Sequence, residues 1–218
     1  MRSITVAPVR LTRETLREAV DALSRDAALR RITERHGPPP LWARRPGFAT
    51  LVQIVLEQQV SLASGRAAFE RLERAAGGAT AERIAALTPA RIRAAGITRQ
   101  KADYILELAR ATADGRFDPA HVARLPDDEA RAALIARRGI GPWTADVYLL
   151  MALRRADAWP AGDLALQIAA KEALRLRAVP DASTLERLGE RWKPWRAVAA
   201  RILWQHYLNT PRRRARPL

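Results

Sequence analysis

Asp163, in the stretch Ala161-Gly162-Asp163-Leu164, is a carboxylate placed where a helix begins, downstream of a glycine turn, Gly139-Ile140-Gly141-Pro142-Trp143-Thr144-Ala145. The turn reads as a hairpin that opens a helix, with Pro142 suited to the first helical position, where its missing N–H costs little. Two glycines let the main chain come close to a phosphate, and the N–H groups and dipole of the following helix favour the anion. A Gly-x-Gly pair alone punctuates many helix–helix turns, so this reading requires a short helix before it and a helix after it. Asp163 by itself is most simply a helix cap. Capping and catalysis are compatible, however. Beside an element that grips a nucleic-acid backbone, a carboxylate can stabilise a cationic sugar while a base departs, because such cleavage passes through an oxocarbenium-like state. The acidic run Asp127-Asp128-Glu129 is a weaker candidate, since acids in a first helical turn usually complement the dipole.

Six tryptophans, at positions 42, 143, 159, 192, 195 and 204, form a rich aromatic set for 218 residues. Most must pack in the core, but an extruded base needs aromatic faces to stack on, and one or two can serve a pocket. Lys plus Arg number 38 against 23 acids, a net charge of +15 that favours a polyanionic partner. Lysine is scarce, with Lys101, Lys171 and Lys193 alone, so an Arg-rich proteome in which Arg replaces Lys on ordinary surfaces is the alternative reading of that excess. The chain has no cysteine, which excludes disulfides, a thiolate nucleophile, cysteine-ligated zinc and a cysteine-held iron–sulfur cluster. His36, His121 and His206 fall in no metal-binding motif, so neither metal nor cofactor is expected. Neither a signal peptide nor a membrane span is legible, and the expectation is a cytoplasmic, nucleoid-associated protein.

Helical periodicity dominates the elements that must position these groups, and strand patterns are nearly absent. Helices are predicted over 12–24, with Leu16, Val20 and Leu23 on one face, and over 48–60, with Leu51, Val52, Val55 and Leu56 on its apolar side. Further helices are predicted near 64–76, 81–86, 89–95, 99–113, 127–137, 142–153 and 194–208. Asp163 is predicted to cap a helix through Arg175, and Ser183 one through Arg191. The run from Pro211 to Arg216 reads as a solvated basic tail.

Residues 134–145 resemble the helix-hairpin-helix of the HhH-GPD DNA glycosylases, and Asp163 stands where that superfamily keeps its catalytic aspartate. Leu56-Glu57-Gln58-Gln59-Val60-Ser61, Ala161-Gly162-Asp163-Leu164-Ala165 and Arg191-Trp192-Lys193-Pro194-Trp195-Arg196 resemble the 3-methyladenine DNA glycosylase II branch. The resemblance covers about residues 45–208. It implies that Trp143 and Trp204 line the base pocket, and that Arg138, Gly139, Ile140, Gly141 and Thr144 form the DNA-binding hairpin. It implies that Gln59 fills the gap left by the flipped nucleotide and that the wedge falls to Ile97 or Arg99, where relatives often carry leucine. Members that also cut the backbone have a lysine where this chain has Trp143, which implies a glycosylase without lyase activity. Val147 stands where some members have tyrosine, and Gly162 where some have a second acid.

The expectation is an all-α, two-lobed helical bundle with a helix-hairpin-helix motif and a cleft between the lobes. One lobe is placed at 48–153, and the other at 1–47 with 154–218. The expected activity is release of alkylated purines from double-stranded DNA by a monomeric base excision repair enzyme. The alternatives are a glycosylase for deaminated or mismatched bases and a non-catalytic hairpin DNA-binding protein.

Overall fold

The computed structural model describes residues 9–211. Among these the elements are helices, and the one strand-like pairing is an isolated antiparallel bridge between Arg10 and Arg155. In chain order the α-helices are α1 (Arg13–Leu23), α2 (Ala27–His36), α3 (Phe48–Glu57), α4 (Leu62–Ala76), α5 (Ala81–Ala85), α6 (Pro89–Ala94) and α7 (Arg99–Ala113). They continue as α8 (Pro119–Val122), α9 (Asp127–Ile135), α10 (Pro142–Met151), α11 (Leu164–Leu174), α12 (Ala182–Gly189) and α13 (Arg196–Asn209), with a 3-10 turn at Glu190–Trp192. The chain divides into two compact units. One holds Ala43–Leu153 and therefore α3 to α10; the other holds Val9–Trp42 together with the described residues from Arg154 onward. Among the described residues the first unit thus begins at Ala43, ahead of residue 48.

The first unit is built on α3, which buries Phe48, Leu51, Val52, Ile54, Val55 and Leu56 and so is apolar on nearly every side. A helix of that kind must be surrounded, and α4, α7 and α10 pack on it. Contact with α4 is closest at Gly65, where a Cβ would stand 2.9 Å from the Glu57 Cα. Glu57 is buried at the end of α3, with its carboxylate paired to Arg44 at 2.9 Å and accepting from the Gln53 amide.

The second unit is built on α13, whose residues Ala197 to Gln205 are all buried against α1, α2 and α11. Two polar side chains on this helix tie the segment after α2 in place. Arg201, fully buried, donates to the Leu41 and Ala197 carbonyls, and Gln205 donates to the His36 carbonyl. Trp192, also buried, donates from its indole N–H to Asp26, whose other carboxylate oxygen caps α2 through the Ala28 and Leu29 N–H groups.

Several elements differ from the sequence-based expectation. Helices α2 and α8 have no counterpart in it: the apolar face of α2 is only Ala28, Leu29 and Ile32 among charged residues, and α8 is one turn long. Helix α3 stops at Glu57 instead of Val60, because Gln58 turns extended and Gln59 left-handed. Helix α12 is capped by Asp181, which accepts from the Thr184 N–H; Ser183 lies inside the helix and bonds back to Asp181. Asp163 caps α11, which runs to Leu174 and closes at a left-handed Arg175. The basic run beyond Pro211 lies outside the described residues.

Burial pushes the Asp26 carboxyl up, but the bonds from Trp192, Ala28 and Leu29 and the charge of Arg191 outweigh burial and hold it below the ordinary carboxylate range. A depressed folded-state value means that this contribution is present above the unfolded value and is lost as pH falls through the folded one. Asp26→Ala is expected to cost about 1 kcal/mol or more at neutral pH, the worth of a helix cap. The gap between wild type and variant in urea unfolding should narrow as the pH is taken to about 3 and below. A gap that stays constant over that range would show that the charge contributes nothing.

Candidate nucleic-acid interface and active site

In the first unit, α9 and α10 are joined through a tight turn at residues 136–141. The Ile140 N–H bonds to the Arg137 carbonyl, and the Ile140 side chain is buried beneath the turn. Gly139 has φ +83°, and a Cβ there would run into the Tyr104 ring. That glycine is demanded by the fold. Gly141 is different: a Cβ there would meet nothing within 4 Å, and as the N-cap of α10 it offers no side chain to the helix's first N–H groups. A helix start with no side-chain cap and open space before it is suited to an anion. The two helices are clamped behind the turn, where the Arg131 guanidinium grips Asp146 of α10 through two bonds of 2.6 and 3.1 Å.

The structure therefore divides the hairpin residues by role. Gly141 borders the open space, and Arg138 is exposed, lying over the Tyr104 ring at 5.4 Å and 3.6 Å from Glu107. Ile140 and Thr144 turn their side chains inward. Thr144 is 1% exposed, and its hydroxyl accepts from the Gln58 amide at 2.8 Å. Any contact that these two make to a phosphate must come from the main chain, since their side chains are already committed to the interior.

A groove of about 880 Å³ within the same unit is lined by the hairpin residues Arg137 to Gly141, by Gln58 and Gln59, and by Thr98 and Gln100. The gap-filling candidate thus sits on the hairpin's own groove. Gln59 is exposed, with φ +57°, in the left-handed region that non-glycine residues seldom adopt. Of the two wedge candidates, Arg99 is exposed whereas Ile97 is 5% exposed. In this structure the Ile97 side chain is packed inside its unit, so a wedge role for it would require it to leave that packing. Sequence reasoning missed Tyr104, Arg131, Asp146 and Lys101, whose contacts to the hairpin and to the turn after α3 join residues far apart along the chain.

In the second unit Asp163 opens α11. One carboxylate oxygen, Oδ1, accepts from the Leu166 N–H at 2.8 Å and from the Trp204 indole N–H at 3.0 Å. The cap fixes the carboxylate along the helix axis, and the indole on α13 fixes its rotation. The preceding loop is held as well. Trp159 donates to the Leu185 carbonyl and packs edge-on to Trp192 at 5.4 Å, and Gln167 donates to the Ala161 carbonyl. Gly189 makes room for Trp159, since a Cβ there would lie 2.7 Å from the indole nitrogen. Sequence spacing brings neither Trp159 nor Gly189 to notice. Trp143 begins α10 in the first unit and is half-buried. Among the described residues no three His, Cys, Asp or Glu side chains group to hold a metal ion, and no helix is long and apolar enough to cross a membrane.

Residues 52–194 match the family described as HhH-GPD superfamily base excision DNA repair protein. This chain belongs to that superfamily. It is 27% identical to DNA-3-methyladenine glycosylase 1 of Schizosaccharomyces pombe, over 80% of this chain and 78% of that protein. It is 33% identical to the DNA-3-methyladenine glycosylase of Bacillus subtilis, over 57% of this chain but only 41% of that longer protein. Among solved structures it is similar to the S. pombe 3-methyladenine DNA glycosylase Mag1 in complex with abasic DNA. That likeness has a TM-score of 0.75 and 27% identity, covering 86% of this chain and 95% of that one.

The two hairpin glycines are expected to respond differently to substitution. Gly139→Ala should lower stability by about 1–3 kcal/mol, as overpacking against Tyr104 does. Gly141→Ala should leave the melting temperature within a degree or two of wild type, for want of any neighbour to strike. It should also weaken binding to undamaged duplex by roughly 1.5–3 kcal/mol, the worth of a hydrogen bond to a charged group. Melting and fluorescence anisotropy on both variants check this, and full duplex affinity in a folded Gly141→Ala protein would remove the turn from the interface.

Proposed function

We propose that this protein is a monofunctional DNA glycosylase that releases alkylated purines, of the 3-methyladenine and 7-methylguanine type, from double-stranded DNA. The observation that carries this reading is Asp163, held by its own helix start and by Trp204 in a chain of the HhH-GPD superfamily. Alkylation at N3 or N7 of a purine makes the base cationic. When the bond from C1′ to the base breaks, the electron pair leaves with the base, which becomes neutral, and positive charge moves to the sugar. A fixed carboxylate stabilises that sugar cation, and a water then adds to C1′ and loses its proton. Little acid help to the leaving group is required, which fits a site with one carboxylate and no histidine motif.

DNA is held mainly through phosphates at the hairpin, and the damaged nucleotide is turned out of the stack. Trp143 and Trp204 are proposed to offer indole faces to the extruded base; a cationic purine is drawn to such faces more strongly than a neutral one. Gln59 and Arg99 are proposed to enter the duplex, in the gap-filling and wedge roles. The absence of lyase activity follows from Trp143 at the position where lyase members keep lysine. The names of the relatives, DNA-3-methyladenine glycosylases in fission yeast and in B. subtilis, support the same substrate class.

Asp163→Asn is expected to slow release of 7-methylguanine by about 10²–10³-fold, in keeping with loss of a preorganised charge, while duplex binding stays equal or tightens. Near-normal release would remove Asp163 from the mechanism. Borohydride added during turnover should trap no covalent protein–DNA adduct above the no-enzyme control. Trapping would show a Schiff base and hence a lyase.

A further inference from the structure

The turn after α3 carries two features that base release by Asp163 does not use. Lys101, from the first turn of α7, donates its ammonium to the Leu56 carbonyl at 3.0 Å and to the Gln58 carbonyl at 2.6 Å. Gln58 in turn donates its side-chain amide to the Gly139 carbonyl at 2.9 Å and to the Thr144 hydroxyl at 2.8 Å. Gln58 is therefore anchored at both ends, its main chain by α7 and its side chain by the hairpin. The next residue is Gln59, left-handed and exposed on the groove.

A left-handed non-glycine residue persists only where its surroundings over-determine it. Capping the end of α3 alone would need only the bond to Leu56; the shorter bond goes two residues further, to the carbonyl that directly precedes Gln59. The choice of lysine also bears on this. The chain has 38 Lys plus Arg but only three lysines, and Lys101 alone falls in the first unit. A compact ammonium can direct donors at two converging carbonyls, whereas the flat guanidinium fork suits a carboxylate or phosphate. Burial pushes the Lys101 ammonium below its ordinary value, consistent with a group withdrawn from solvent for this task.

We propose that Lys101, together with Gln58, is a positioning residue that holds Gln59 ready to enter the duplex in the place of the extruded nucleotide, an inference that rests on the glycosylase reading above. Lys101 touches no substrate in this account and acts only through Gln59. The hairpin that grips the phosphates and the residue that fills the gap are thereby one braced assembly, so engaging the backbone delivers Gln59 in register.

The test is a double-mutant cycle on single-turnover release of 7-methylguanine from duplex DNA, with wild type, Q59A, K101M and the double variant. Q59A and K101M are each expected to slow release by about tenfold, as misplacement of a positioning group does, with undamaged-duplex affinity changed less than twofold. The double variant is expected to be no slower than Q59A alone. A merely structural role for Lys101 would instead multiply the two losses, and that outcome overturns the proposal. Wild-type speed in Q59A overturns it too, because there would be nothing to position. Should K101M melt early, T144V removes one of the Gln58 amide's two acceptors while keeping side-chain shape, and the same cycle with Q59A carries the same expectations. A wild-type protein that releases no alkylated base at all sinks the glycosylase reading itself, an outcome seen in a different arm from any failure of the cycle.

Discussion

A helix start that is to receive a phosphate must keep its first N–H groups pointing at open space, and a folded chain otherwise pairs nearly every such group. The hairpin meets this demand by bracing every other part of itself. Ile140 is buried beneath the turn, Gly139 lies against Tyr104, and the Gly139 carbonyl and Thr144 hydroxyl both accept from Gln58. The Arg131–Asp146 clamp joins the two helices behind it. What remains open is the space before Gly141. The turn is thus rigid where it meets its own unit and open only where an anion would arrive, which keeps the ordering cost of binding low.

The second unit faces a related conflict over a single carboxylate. A carboxylate proposed to work on a developing cation must not rotate away. At Asp163 donors on one oxygen, the Leu166 N–H and the Trp204 indole, hold it in place. The apolar surroundings that hold the helices in place, with α13 buried along most of its length, also bring the indole to that oxygen. The tryptophans therefore divide their work: Trp159 and Trp192 shape the loop before Asp163 from within the core, while Trp204 spans the core and the site.

Much of this was legible in the chain as written. Residue types and spacing marked the hairpin, the capping aspartate of α11 and the all-helical fold, because these are local: a glycine turn with proline behind it, an Asp at a helix start, apolar residues at helical intervals. The elements that escaped are those without such a signal. Helix α2 has a sparse apolar stripe, α8 is too short for periodicity, and the cap of α12 fell to Asp181 rather than Ser183, two residues apart and equally suited by type.

The tertiary structure decided what each marked residue is free to do. Ile97 and Arg99 lie two positions apart in one turn, yet one is packed inside and the other exposed, which local pattern does not resolve. The two hairpin glycines look equivalent in sequence but differ because Tyr104 lies against one and nothing against the other. The end of α3 comes early because Lys101, 45 positions from Leu56 in the chain, takes the carbonyls there. The sequence by itself determined most of the helices, the cap of α11 and the chemistry on offer, since those depend on neighbours along the chain. Which side chain is committed to the interior and which is left to meet DNA depends on neighbours in space, and only folding supplies them.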